Sequence, residues 1–288
     1  MKRPKNLNFE IPIHTLKVLG IETSGSMGGI VLSKDCQVIL SKEFGSMQHG
    51  KELVPAIKSA FQDIGWSPHD IDLIAVDVGP GSYTGLRVGV ACAKTMAYAL
   101  RKPVIDVPIF DIIAENYQGN LCETAALRSS SPAAGPKEEE KFYETVHRRQ
   151  FSLCPVIDAR RSHVYACIYT FVPVGLEGGL AGVQWKRETE FMVIQPESLV
   201  SMLPRPIIIF GNGVSRYKEV FHDKDIFIGK EEWAIPKVEY VALLGERLYE
   251  SGYRCETGKL LPLYLRQAEA IEKRMCKKIA AFNTNSPK

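Results

Sequence analysis

The residues best suited to chemistry lie in three short stretches. The first is Gly79-Pro80-Gly81-Ser82, which leads through Thr84 and Gly85 into a helical pattern. Backbone amides gathered at a helix N-terminus attract anions, so this loop is a candidate phosphate holder. The second runs from Glu22 to Gly29 and is rich in hydroxyls and glycine. Successive amides in such a turn make an anion nest, although the same composition serves any polar hairpin turn. Thr23, Ser24, Gly79, Gly81 and Ser82 are therefore the candidate nucleotide or phosphate loop. The third is a set of carboxylates placed where strands end: Glu22, Asp77 and Asp158. Carboxylates there can hold a metal-bound phosphate, as in phosphoryl transfer, or simply cap the loops that follow.

The established fingerprints do not fit. A dinucleotide GxGxxG beginning at Gly79 would need glycine where Thr84 stands. A P-loop would need a Lys-Ser or Lys-Thr pair after the glycines, and a nucleophile elbow would need glycines spaced around Ser82 that are missing. His49-Gly50-Lys51-Glu52-Leu53 resembles a zincin helix only in part: Leu53 occupies the position of the second histidine. His49 and Glu52 alone make a poor metal pair, so no metal site and no catalytic residue are assigned.

These stretches hang on a recognisable frame. Leu73 to Val78 is a short apolar run, the pattern of a covered strand. The helix after it carries Gly85, Gly89, Ala93 and Ala97 at every fourth position, hence on one side. Glycine in a helix costs roughly 1 kcal/mol against alanine, so something packs close to that stripe. It is either the sheet or a helix of the same domain, or a partner protein. Upstream, Leu16–Ile21, Ile30–Leu32 and Gln37–Phe44 form a β-meander, and a helix over 50–64 presents Leu53, Ile57, Phe61 and Ile64 on one side. Val104–Val107 is a strand and Ile109–Tyr117 opens a helix. The second half repeats this grammar: strands at Cys154–Ile157, Val164–Val172, within Val183–Val193, at Pro206–Phe210 and at Ile226–Ile228, then an amphipathic helix over Lys237–Ser251. Two blocks of strands and helices describe two α/β units of similar topology with mixed sheets.

At 288 residues the chain has room for two modest domains, and a charged fraction of 24% is ordinary for a globular protein. The net charge of +3 permits nucleic-acid contact without arguing for it. No apolar run approaches the roughly 18 residues of a membrane helix, and the first 14 residues read as a loose extension without a secretory h-region. Seven scattered cysteines with no CxxC pair fit reduced thiols in a cytoplasmic protein, with Cys92 and Cys167 in apolar, core-like patterns. Residues 118–150 are poor in apolar side chains and read as a mobile insertion or linker. The expected division is therefore 1–117, an N-terminal lobe; 118–150, the insertion; 151–259, a C-terminal lobe; and 260–288, a basic tail. That tail could touch RNA phosphate, or be a solvated end.

Five strings taken together carry a resemblance: LGIETSGSMGGIVL, HGKELVPAI, DVGPGSYTGLRVGVACAKTMAYAL, VIDARRSHVYACIY and PLYLR, in this order, from Lys17 to Arg266. They resemble the TsaB (YeaZ) family of bacterial tRNA threonylcarbamoyladenosine biosynthesis proteins. The resemblance implies a two-lobed actin-like fold of the sugar kinase and heat-shock protein superfamily. It implies a scaffold role in attaching threonylcarbamoyl to N6 of the adenosine beside the tRNA anticodon, with a catalytic TsaD-like paralogue and a TsaE-like ATPase as partners and tRNA met through the complex. It implies a pairing surface on the first two helices, here 50–64 and 84–100, where Leu53, Ile57, Arg87, Gly89, Val90 and Lys94 are the candidate contacts; a homodimer would use the same helices. The family usually has Asp where Glu22 stands, and the longer carboxylate alters any magnesium geometry, so no cofactor is expected beyond weak nucleotide binding. The 118–149 stretch is longer than the family pattern. Two other readings remain. One is a stand-alone glycoprotease-like hydrolase or ATP-binding enzyme using Glu22, Asp77 and Asp158; the other is a homodimer with a regulatory or cell-wall role.

Overall fold

The computed structural model describes residues 15–25, 27–45, 49–117, 151–174 and 182–265. The expectations for residues 1–14, for the 118–150 insertion and for the tail beyond Leu265 fall outside these.

The first sheet is built from β1 (Lys17–Glu22), β2 (Met27–Lys34), β3 (Gln37–Gly45), β4 (Leu73–Asp77) and β5 (Val104–Val107), in the order β3-β2-β1-β4-β5. β1, β2 and β3 are antiparallel, whereas β1, β4 and β5 run parallel. β4 is buried along its whole length, as an unbroken apolar run between parallel neighbours should be. Helices α1 (His49–Asp63) and α2 (Tyr83–Leu100) cover one face of this sheet. The hydroxyl-rich turn is shorter than the sequence suggests, because β2 already begins at Met27.

The chain then makes a helix α3 over 109–117 and enters the second sheet. Here β6 (Phe151–Asp158), β7 (Val164–Ala166), β8 (Tyr169–Val174), β9 (Gly182–Arg187), β10 (Met192–Ile194), β11 (Ile207–Phe210) and β12 (Ile226–Ile228) follow in sequence. The path is β10-β7-β6-β11-β12, with β8 on β6 and β9 on β8. The expected single strand Val164–Val172 is two strands in one register, interrupted opposite Cys154 and Pro155. Pro155 has no amide to donate to the ladder, so the pairing lapses there. Taking β7 with β8 and β9 with β10 as broken single strands, the second sheet repeats the order of the first. The fold is thus the two-lobed actin-like architecture. Short helices α4 (Pro196–Met202) and α5 (Asn212–Arg216) and the longer α6 (Val238–Glu250) complete it.

The packing does not respect the division at 117 and 151. α6 buries Val238, Val241, Leu244 and Leu248, as its periodicity predicts, but against the N-terminal sheet. A Cβ on Gly245 would come within 2.3 Å of the Ala75 Cβ, and one on Gly20 within 3.0 Å of the Ala242 amide nitrogen. α3 does the reverse: Tyr117 packs among Phe151, Phe171, Phe210 and Trp233 of the second lobe. Each lobe is therefore closed by a helix from the other half. After α6 the chain returns across the first lobe: Cys255 bridges Val104, Leu260 is buried in the core beneath α1 and α2, and the Leu263 amide donates to the Val78 carbonyl at 2.7 Å. Residues 260–265 of the expected tail are thus a strap on the N-terminal lobe.

Candidate functional site

Parallel strands β1 and β4 end side by side and deliver Glu22 and Asp77 to one point, both almost completely buried. Glu22 Oε1 then turns back on its own loop. It accepts from the Ser24 amide at 2.7 Å, the Ser24 hydroxyl at 2.5 Å and the Gly25 amide at 3.1 Å. The Thr23 hydroxyl donates to the Gly85 carbonyl at 2.8 Å, and the Ser24 carbonyl accepts from the Ser82 amide at 2.8 Å. Asp77 Oδ1 accepts from the Gly79 amide at 2.7 Å, and Ser82 Oγ caps α2 through the Gly85 amide at 3.3 Å. Gly79 sits at φ +93°, in a region L side chains avoid, and a Cβ on Gly81 would meet that of Ser24 at 2.6 Å.

The two glycine-rich loops therefore meet, and they satisfy one another. A phosphate needs open amides, and those of Ser24 and Gly25 already hold a carboxylate of the chain itself. The amides of Gly79 and Ser82 are likewise taken, by Asp77 and by the Ser24 carbonyl. Burial first, then the neighbouring Asp77 charge, pushes the Glu22 carboxyl well above the usual carboxylate range, and burial pushes Asp77 up as well.

Asp158 ends β6, the position in the second lobe that Glu22 holds in the first. Its Oδ1 accepts from the Arg160 amide at 2.9 Å, and Arg216 lies 3.5 Å from Oδ2. Asp77 and Asp158 thus share one habit, capping the amide two residues on. Between the lobes opens a cleft of about 1020 Å³ with Ser24, Gly81 and Tyr83 on one wall and Asp158, Arg160 and Arg161 on the other.

The candidate pairing residues separate. Leu53, Ile57 and Val90 belong to the N-terminal core, and Leu53 has no exposed surface. A Cβ on Gly89 would lie 2.2 Å from Thr23 Oγ1. The small-residue stripe thus faces its own lobe, and Leu53, Gly89 and Val90 are buried in it, while Ile57 is mostly buried but also lines the groove described below. The physical reason is that an amphipathic stripe turns inward first. Leu53 at the second-ligand position is likewise core. Arg87 is exposed and Lys94 half-buried. What α1 and α2 do offer is a groove of about 590 Å³ between them, lined by Val54, Lys58, Trp66, Cys92, Thr95 and Met96 among others. Val54 is 62% exposed and lies on this groove. Cys92, expected in the core, is half-buried on this groove, while Cys167 is buried. The signal available in the sequence was Val54 itself, an apolar residue beside rather than on the inward stripe.

Comparison with known proteins bears on most of the chain. The family profile TsaD, tRNA N6-adenosine threonylcarbamoyltransferase, matches residues 40–129. The tRNA threonylcarbamoyladenosine biosynthesis protein TsaB of Bacillus subtilis is 28% identical over 90% of this chain and 97% of its own length. Its namesake from Escherichia coli is 22% identical over 90% and 98%. In structure, YeaZ from Pseudomonas aeruginosa superposes with a TM-score of 0.63 at 21% identity, covering 87% of this chain and all of that one.

Proposed function

From its membership of the TsaB (YeaZ) family, to which this chain belongs, we infer that it is a non-catalytic scaffold of the tRNA threonylcarbamoyladenosine pathway. On this reading it pairs with a TsaD-like transferase, a TsaE-like ATPase joins them, and the complex meets tRNA. The observation that carries the reading is Glu22 Oε1 on the amides of Ser24 and Gly25. A lobe whose phosphate-type loop is filled by its own carboxylate has the frame of a nucleotide-handling fold without its open donors. Chemistry must then come from a partner, and the groove between α1 and α2 supplies a place to hold one. A second copy of the chain would use the same groove, so homodimer and heterodimer compete. Among the described residues, no helix is long and apolar enough to cross a membrane.

The test is reconstitution. The purified chain with tRNA and a threonylcarbamoyl donor should transfer nothing, and adding the TsaD-like and TsaE-like proteins should restore transfer. Turnover by the chain alone, or full activity of the other two without it, would refute the scaffold reading.

A further inference from the structure

The outer side of α2 has two surfaces. One borders the groove, through Cys92, Thr95 and Met96. The other carries Tyr83, Arg87, Lys94 and Tyr98, which fall within about 60° of one another at roughly 100° per residue. The strap 256–265 lies against this second surface. Arg87 Nε donates to the Tyr264 hydroxyl at 3.0 Å, and Lys94 Nζ donates to the Gly258 carbonyl at 2.8 Å. The guanidinium of Arg87 stacks 3.9 Å from the Tyr83 ring centre, and the rings of Tyr83 and Tyr264 stand 5.3 Å apart. The three tyrosines are exposed by 42%, 60% and 44% for Tyr83, Tyr98 and Tyr264. Large aromatics left this open are not serving the core.

Both cations on this ridge are held by neutral oxygens. Among the described residues, neither Arg87 nor Lys94 pairs with a carboxylate, and Glu256, the acid of the strap, is taken by Lys259 at 2.8 Å. The positive charge is therefore still available to an anion, with aromatic faces beside it. Rings that stack any base, interleaved with cations that meet phosphate, are the chemistry of single-stranded nucleic-acid binding.

We propose that this ridge of Tyr83, Arg87, Lys94, Tyr98 and Tyr264 is a docking surface for unpaired RNA, and that its occupant is the anticodon loop of the substrate tRNA. The identity of the RNA rests on the pathway reading above. The arrangement lets one helix hold two partners, with protein in the groove and RNA on the ridge. It also reassigns Arg87 and Lys94 from the pairing surface to the RNA surface.

The test measures fluorescence anisotropy of a labelled anticodon stem-loop RNA titrated with the full chain between about 50 and 200 mM salt. Wild type should bind, and Tyr83→Ala with Tyr264→Ala should weaken binding about tenfold or more. Tyr98→Ala, which leaves the strap contacts of Arg87 and Lys94 intact, should weaken it several-fold at an unchanged melting temperature. Arg87→Gln with Lys94→Gln should flatten the dependence of log affinity on log salt by about 1.5. Thr95→Arg, on the groove, should leave RNA affinity as it is. The proposal falls if wild type does not bind at the lowest salt, if a blunt RNA duplex competes as well as the stem-loop, or if the folded ridge variants bind RNA like wild type and lose the TsaD-like partner instead. The reconstituted transfer assay separates the two claims: transfer restored without ridge-dependent RNA binding sinks only this inference, and ridge-dependent binding without restored transfer sinks only the scaffold reading.

Discussion

Glu22 shows what a carboxylate at a strand end can do to the loop that follows it. Its carboxylate reaches back to the amides of Ser24 and Gly25 and fills the nest they form. The energetic consequence lies in pH. Burial and the Asp77 charge raise its pKa in the folded state, so the unfolded chain releases the proton at lower pH than the folded one. A raised folded pKa means stability that is complete below about pH 4.5 and is lost as pH rises through the folded values of the pair. Glu22→Gln keeps an oxygen for the same amides and has no charge to bury. It should flatten the stability profile above pH 5 and leave the variant more stable than wild type at pH 8, read from urea unfolding at a series of pH values. Parallel profiles for the two proteins would show that the pair is not the titrating group. That Glu22 stands at a strand end before a hydroxyl-rich turn was legible in the sequence. Which amides it takes was not, because side-chain direction at a turn depends on how the neighbouring loop closes over it.

At the scale of elements, α1 and α2 make the instructive pair. Both helices were legible from their periodicity, and so was the closeness of packing along Gly85, Gly89, Ala93 and Ala97. The sequence left open what packs there; the structure answers with Thr23 and the sheet. A bulky residue at position 89 is therefore a folding defect and not a probe of pairing. Gly89→Arg should fail to fold, since even one carbon there displaces the Thr23 hydroxyl from the Gly85 carbonyl. Val54→Glu is the informative change. Being exposed, it should alter stability by less than about 0.5 kcal/mol and yet abolish co-purification with a TsaD-like partner. Retained pairing with Val54→Glu would move the interface elsewhere on the lobe.

For the whole molecule, the question is what joins the lobes. Helix α3 carries Asp111 and Glu115 into the second lobe. Asp111 Oδ2 meets Arg187 at 3.2 Å and Oδ1 accepts from the Tyr169 hydroxyl at 2.8 Å; Glu115 accepts from Trp185 at 2.7 Å and from Arg247 of α6. Arg187 and Asp111 are both buried, so removing one partner leaves a charge in a low-dielectric site. Arg187→Met should cost about 3 kcal/mol in denaturant unfolding, and Asp111→Leu with Arg187→Met should recover much of it. A loss below about 1 kcal/mol would mean that water reaches the pair. By itself the sequence determined the local elements, the duplicated α/β grammar, the glycine-rich loops and the family strings, because each of these follows from short-range sterics and the spacing of apolar residues. Only the tertiary structure decided that α3 and α6 change lobes, that the strap lies on α2, and that the loops close on Glu22. Those outcomes depend on which faces and loops meet between residues far apart in the chain, and a helical stripe specifies that it must be covered without specifying by what.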